Sequence, residues 1–146
     1  MKKSILIFFV LLFVFTGGIF AQITFEDFKN GSSDPSLADT YRSNVTDLLA
    51  KVNALLRRAG INSAIVRQGT RTETRTGAAS YDGLHNYGRA IDIADPDGSI
   101  YRAVAPLIQG SNLRLENGGS TPTWVHLDIG REGVSNDVRG GRIFSP

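Results

Sequence analysis

The sequence predicts an α+β domain in which a small antiparallel sheet packs against one long helix. Apolar side chains recur every three or four residues between 35 and 58, which is typical of one face of a helix. Two shorter segments, 90–94 and 124–129, instead alternate apolar and polar residues, as strands do. A long helix followed by short strands with one brief helix among them favours the α+β class with an antiparallel sheet.

The first 21 residues have the pattern of a secretory signal peptide. Lys2 and Lys3 precede an unbroken apolar run over 5–15, and small residues lead to Ala21. This run is shorter than the roughly 20 apolar residues that span a bilayer. We therefore expect a secreted or periplasmic protein with no stable membrane insertion after cleavage. An uncleaved membrane anchor is the alternative interpretation of the same pattern.

Removal of the leader leaves 125 residues, enough for one domain with a substantial core. We expect a lead-in segment over 22–34 and the domain itself over 35–146. Basic and acidic residues then number 14 each, so nothing argues for a nucleic-acid partner. The chain has no cysteine, which excludes disulfides and thiolate zinc sites. Any metal would be held by histidine and carboxylate.

The remaining elements follow from turn signals and periodicity. The long helix begins with Pro35 at its first position and ends at Gly60. Pro106 bends or shortens the later helix. In chain order, the other predictions are a strand over 61–67, a polar loop over 68–82, the strand over 90–94, a turn over 95–98, a helix over 99–109, a short strand over 113–116, the strand over 124–129, and a Gly- and Arg-rich tail.

The strand predicted over 124–129 presents two different faces. The apolar face must meet the core, and it consists of Val125, Leu127 and Ile129. The opposite face carries Trp124, His126 and Asp128. The strand over 90–94 repeats the arrangement, because Asp92 lies opposite its two isoleucines. The sequence therefore predicts two polar strand faces within one sheet.

If these strands are neighbours, Asp92 and His126 converge and His85 arrives from the preceding turn. Two neutral imidazoles and one carboxylate are a ligand set of catalytic zinc sites, with the fourth position left to water. The metal lowers the pKa of that water and polarises a substrate carbonyl. We therefore predict a Zn²⁺ site at these three residues. The alternative is that Asp92 pairs with Arg89 and that each histidine is merely a half-buried polar residue.

Three segments resemble a known family, in the family's order. Residues 85–92, HNYGRAID, resemble the H-x-x-G-x-A-x-D element of the zinc D-Ala-D-Ala metallopeptidases, whose superfamily includes lysostaphin-type endopeptidases and the Hedgehog signalling domain. Residues 124–128, WVHLD, resemble the W/F-x-H-x-D strand of that family. Residues 69–72, GTRT, are similar to its G-[YS]-R-T segment. Together they cover roughly residues 65–130, most of the predicted domain.

The resemblance implies a Hedgehog/D,D-peptidase-like fold and zinc bound by His85, Asp92 and His126. It also implies hydrolysis of amide bonds next to D-amino acids in peptidoglycan stem peptides, with Arg71 binding a substrate carboxylate. The partner would then be a stem peptide, and we expect a monomer.

Three aromatic residues are candidates for lining a substrate cleft. They are Tyr81, Tyr87 and Trp124. Such a cleft would accept sugar or peptide. Ordinary packing at the core or rim is the alternative for each of them.

Two positions depart from the family pattern. Gly83 stands where the family usually has serine, and Thr123 where many members have an acidic general base. The endopeptidase branch with an F-V-H-L-D strand also lacks that acid, and this chain looks closest to it. A base must still take the water proton. The candidates are Asp128, on the strand face of His126, and Glu116. Asp128 has the alternative role of orienting a histidine.

Three hypotheses follow. The first is a secreted zinc peptidase that cuts D,D-type bonds in stem peptides or cross-links, as a carboxypeptidase or an endopeptidase. The second is an inactive zinc-containing module that binds peptidoglycan, motivated by Thr123. The third is an α+β domain without metal. The three motifs favour the first.

Overall fold

The computed structural model describes residues 22–72, 82–131 and 141–145. Its helices are α1 (Phe25–Asn30), α2 (Pro35–Thr40), α3 (Arg42–Arg58), α4 (Asp82–Asn86) and α5 (Ser99–Val104), and a 3₁₀ turn follows at Ala105–Leu107. Its strands are β1 (Val66–Gln68), β2 (Ala90–Ala94), β3 (Arg114–Glu116), β4 (Trp124–Asp128) and β5 (Arg142–Phe144). The described chain is therefore mixed helix and sheet, as predicted.

The five described strands form one sheet in the order β1-β2-β4-β3-β5. All pairs are antiparallel except β3 and β5, which run parallel. The prediction of a purely antiparallel sheet is therefore wrong at this edge. The cause is β5, which spans only three residues, Arg142–Phe144, in a tail that was predicted to have no pattern. Three residues are too few to show alternation.

The predicted long helix is interrupted. Tyr41 has φ −106° and ψ 33°, outside the helical region, and this residue separates α2 from α3. Its amide still donates to the Leu37 carbonyl over 2.9 Å, so the apolar spacing continues across the break. Periodicity alone therefore could not locate it. The helix α3 covers 17 residues and ends at Arg58. Two residues later, Gly60 adopts a left-handed conformation with φ +69°.

The core lies between α3 and one face of the sheet. The buried face of α3 includes Val45, Leu48, Val52 and Leu55. The sheet contributes Ile91 and Ile93 from β2, and Val125 and Leu127 from β4. The apolar faces predicted for both strands are thus confirmed. The polar faces of β2 and β4 lie on the other side of the sheet.

The segment 22–34 is folded into the domain. A capping box between Thr24 and Asp27 begins α1, since each residue's side chain bonds the other's backbone amide. Phe28 on this helix is fully buried in the core. Asn53 of α3 holds the Ile23 backbone through two hydrogen bonds of 2.9 Å. The residues predicted as a lead-in are therefore part of the packed structure.

Several predictions fall on residues outside the described ranges. The leader over 1–21 is one, as are most of the 68–82 loop and most of the tail. Within the described ranges, no helix has both the length and the apolar character to cross a membrane.

Replacing Phe28 with alanine should destabilise the domain, because the substitution removes a fully buried aromatic side chain. We expect the free energy of unfolding to fall by about 3–5 kcal/mol in denaturant titrations. Ile65→Ala is the control, since that side chain is 70% exposed and should change stability by less than about 0.5 kcal/mol. Equal, small effects of the two substitutions would show that α1 does not belong to the cooperative core.

Candidate metal centre

The pairing of β2 with β4 places a carboxylate directly opposite an imidazole. Asp92 and His126 are cross-strand partners in the register of these strands. Both lie on the face away from the core, yet only 7% of Asp92 and 5% of His126 is exposed. Their side chains meet, with 2.7 Å between Asp92 Oδ1 and His126 Nδ1. The predicted neighbour relation is confirmed.

The short helix α4 delivers His85 to this pair. Its ring is 1% exposed, and its Nδ1 lies 2.7 Å from the Gly69 carbonyl oxygen. Because a carbonyl only accepts, Nδ1 carries the hydrogen. In the neutral imidazole the lone pair is therefore on Nε2, which lies 3.4 Å from Asp92 Oδ1. The hydrogen bond to the Gly69 carbonyl thus fixes the His85 tautomer in which Nε2 is free to bind a metal.

The carbonyl that orients His85 is itself held in place. The Gly69 amide donates to the Gly31 carbonyl over 3.1 Å, at the turn after α1. A Cβ on Gly69 would lie 2.5 Å from the Phe28 carbonyl oxygen and even closer to the Ser32 hydroxyl. Only glycine allows this approach. The segment 22–34 therefore supports the site by holding the Gly69 carbonyl that orients His85.

Asp128 contacts the other side of the His126 ring. Its Oδ2 lies 3.4 Å from His126 Nε2. Its Oδ1 accepts from Arg114 Nε over 2.6 Å and from the Gly130 amide over 2.7 Å. Asp128 is completely buried. Without a metal, the His126 Nδ1 hydrogen is donated to the nearer carboxylate oxygen, Asp92 Oδ1. If a metal ion replaced that hydrogen, the neutral ring would keep its hydrogen on Nε2, beside Asp128.

Three donor atoms therefore converge from His85, Asp92 and His126, all within 4.8 Å of one another. The two imidazole rings are 5.2 Å apart. His85 Nε2 is buried and has no hydrogen-bond partner in the described structure. Two lone pairs facing one carboxylate oxygen repel unless a proton or a cation lies between them. The donor set accordingly fits a metal ion, which would be held by these three side chains.

The charges around His126 favour its protonated form when no metal is bound. Burial opposes the charge, but hydrogen bonds and attraction from Asp128 and Asp92 outweigh it and raise the pKa of His126 to about 9. Burial likewise opposes the charge of Asp92, yet His126 and His85 hold the pKa of that carboxyl well below its usual range. A metal ion would therefore displace a proton from His126.

Glu116 is the acidic residue at the rim of this cluster. The register of β3 and β4 pairs Arg114 with Asp128 and Leu115 with Leu127, and Glu116 follows along β3, where the charge of His126 acts on its carboxyl. Glu116 is half-buried. Burial raises the pKa of its carboxyl, His126 lowers it, and the Asp92 and Asp128 charges raise it further. The net shift of the Glu116 pKa is upward.

The three predicted substrate-binding residues differ in their exposure and in the side chains they contact. Trp124 is two residues from His126 on the same strand face, and the Arg67 guanidinium stacks 4.2 Å from its ring centroid. Arg71 is half-buried and follows Gly69 by two residues. Tyr87 is 51% exposed and meets the Tyr41 ring edge-on at 5.3 Å.

The alternative pairing of Asp92 with Arg89 is wrong. Arg89 Nε donates to the Gly130 carbonyl over 2.6 Å, and its Nη1 donates to Asn44 Oδ1 over 3.3 Å. Gly88 adjoins α3, where a Cβ would lie 2.7 Å from Val45 Cγ2. Gly88 and Arg89, which immediately precede β2, therefore pack against helix α3.

Two residues near the cluster were missed. Arg114 bonds Asp128, and the Phe144 ring meets the His126 ring at 6.2 Å. A signal existed for Arg114, because it shares a strand face with Glu116, opposite the apolar Leu115, on a predicted strand. Phe144 gave none, since it lies in the patternless tail.

Comparisons of the chain with protein-family models, with curated proteins and with solved structures found no match. The relation to the D-Ala-D-Ala metallopeptidases therefore stays a resemblance of motifs.

The raised pKa of His126 predicts a pH dependence for the metal-free protein. A group whose pKa is higher in the folded state stabilises that state below its unfolded pKa. Stability should therefore fall as pH rises from about 6.5 towards about 9. Denaturant titrations in the presence of chelator measure this slope. His126→Gln should remove most of it, and an unchanged slope in that variant would contradict the assignment.

Proposed function

We propose that the protein is a secreted or periplasmic, monomeric zinc peptidase that hydrolyses D,D-type amide bonds in peptidoglycan stem peptides or cross-links. The observation that carries the proposal is the convergence of buried donor atoms from His85, Asp92 and His126 with an acidic residue at the rim. The motif resemblance supplies the substrate class and the proposed Hedgehog/D,D-peptidase-like fold.

The ligand types support zinc. Two imidazole nitrogens and one carboxylate oxygen are a common ligand set for catalytic zinc, and the chain has no cysteine for a structural thiolate site. Bound zinc would lower the pKa of a coordinated water and polarise the scissile carbonyl. The residues of this chain then have to orient the ligands, hold the substrate and move the proton.

We assign the general base to Glu116 and a positioning role to Asp128. Asp128 is fully buried, and its oxygens face Arg114, Gly130 and His126, so it does not meet substrate. Glu116 is half-buried, close enough to feel the charges of the cluster, and has a raised pKa. It therefore takes the water proton and returns it to the leaving amine.

Three residues are proposed to bind the stem peptide. Arg71 would bind a substrate carboxylate, because its segment contributes the Gly69 carbonyl to the site and resembles the family's carboxylate-binding segment. Trp124 would line the cleft, since it shares the strand face of His126. Tyr87 would lie at the outer rim, where half of its surface is exposed.

The second candidate is a module that keeps zinc and binds peptidoglycan without hydrolysis. Thr123 favours it, because a hydroxyl stands where many family members have the acid, and it accepts a hydrogen bond from Arg67 Nη1 over 3.0 Å. In this candidate Glu116 has no catalytic part.

The purified protein should contain about one zinc ion per chain. His126→Ala should lose it, because the substitution removes one of three protein ligands. Elemental analysis after dialysis against zinc-containing buffer gives the stoichiometry, and thermal unfolding with and without chelator gives the linked stability. Wild-type protein that retains no zinc and has equal stability in both buffers would refute the metal centre.

Glu116→Gln should reduce hydrolysis roughly 10²- to 10⁴-fold while zinc binding persists, because the amide cannot accept the proton. Muropeptide analysis of sacculi incubated with the zinc-loaded protein measures the products. Glu26→Gln, at an exposed position on α1, is the matched control and should be fully active.

The two candidate functions separate in the same assay. Zinc-loaded wild-type protein that sediments with sacculi but releases no product would establish the binding module. Product release by Glu116→Gln at the wild-type rate would refute Glu116 as the base without affecting the zinc site.

A further inference from the structure

The strand β5 forms one wall of the metal centre. Phe144 is only 9% exposed, and its ring meets the His126 ring edge-on, with centroids 6.2 Å apart and planes 81° apart. The Arg114 guanidinium lies 4.9 Å from the Phe144 centroid. The ring thus lies against both the ligand histidine and the arginine that holds Asp128.

The chain fixes this strand firmly for so short an element. Gly141 has φ +79°, and a side chain there would overlap the Ile108 carbonyl, so only glycine lets the chain return to β3. The Arg142 amide donates to the Leu113 carbonyl over 3.1 Å, and the Phe144 carbonyl accepts from the Asn117 amide over 2.7 Å. Phe144 is therefore held in register beside the site.

Arg114 connects this wall to the ligand. Its Nε donates to Asp128 Oδ1 over 2.6 Å, while Asp128 Oδ2 faces His126 Nε2. Arg114 is 6% exposed and Asp128 is fully buried, so their attraction is little screened by water. The guanidinium Nε and the Gly130 amide both hold Asp128 Oδ1, which restricts the rotation of the carboxylate. The carboxylate in turn restricts the rotation of the imidazole.

We propose that Phe144 and Arg114 are positioning residues for His126. Arg114 fixes Asp128, and Phe144 covers the guanidinium and the imidazole, which excludes water and prevents the ring of His126 from turning. The inference concerns the metal centre and does not depend on the peptidase activity. It predicts that the edge strand β5, distant in sequence from the three ligands, sets metal affinity.

The experiment measures zinc affinity by competition with a chromophoric chelator, and ligand geometry by the visible spectrum of the Co²⁺-substituted protein. Phe144→Ala and Arg114→Lys should each weaken zinc binding roughly 10- to 100-fold and alter the Co²⁺ spectrum. Phe144→Leu keeps much of the apolar cover and should recover part of the affinity. Ile143→Ala, on the same strand but 45% exposed, is the matched control and should bind as wild type does.

Arg114→Lys keeps the charge but lacks the planar fork, so it tests orientation rather than electrostatics. Should Phe144→Ala not fold, Phe144→Leu and Arg114→Lys decide the question. Folded variants with wild-type affinity and an unchanged Co²⁺ spectrum would overturn the proposal. An inactive wild-type protein whose metal affinity still responds to these substitutions would refute the peptidase and leave the positioning role standing.

Discussion

The interaction on which the site depends is the cross-strand contact between Asp92 and His126. Their 2.7 Å separation places a buried carboxylate against a buried imidazole on the face of the sheet away from the core. Such a pair is costly without a compensating proton or cation. The antiparallel register of β2 and β4 enforces the contact, and the apolar side chains on the opposite face of both strands fix that register. The core therefore specifies the site.

Support for the ligands comes from both ends of the described chain. The turn after α1 holds the Gly69 carbonyl, which orients His85. The strand β5 brings Phe144 beside His126, and Arg114 on the neighbouring strand anchors Asp128. The outer nitrogen of His85 bonds the Gly69 carbonyl, and the outer nitrogen of His126 faces Asp128 Oδ2 at 3.4 Å. Each ring presents its other nitrogen to Asp92. Engagement of the outer nitrogen is what fixes the tautomer of an imidazole ligand.

Much of the site could be predicted from the sequence because strand alternation is a local property. It placed Asp92 and His126 on one side of their strands, and the register confirms that they meet. The features that could not be predicted depend on contacts between distant residues or lie in very short segments. The break at Tyr41 preserves the apolar spacing. The parallel strand β5 has only three residues, and the burial of Phe28 depends on a helix packing against distant elements.

We propose that one metal ion binds between His85, Asp92 and His126. The decisive experiment is a crystal structure of the zinc-loaded protein with anomalous differences measured at the zinc edge. A metal ion held by these side chains should give a single peak roughly 2.0–2.2 Å from His85 Nε2, an Asp92 carboxylate oxygen and His126 Nδ1. The proposed site would be contradicted if the crystals held zinc at other positions but showed no peak among these three residues. It would also be contradicted by a peak bonded to His126 Nε2.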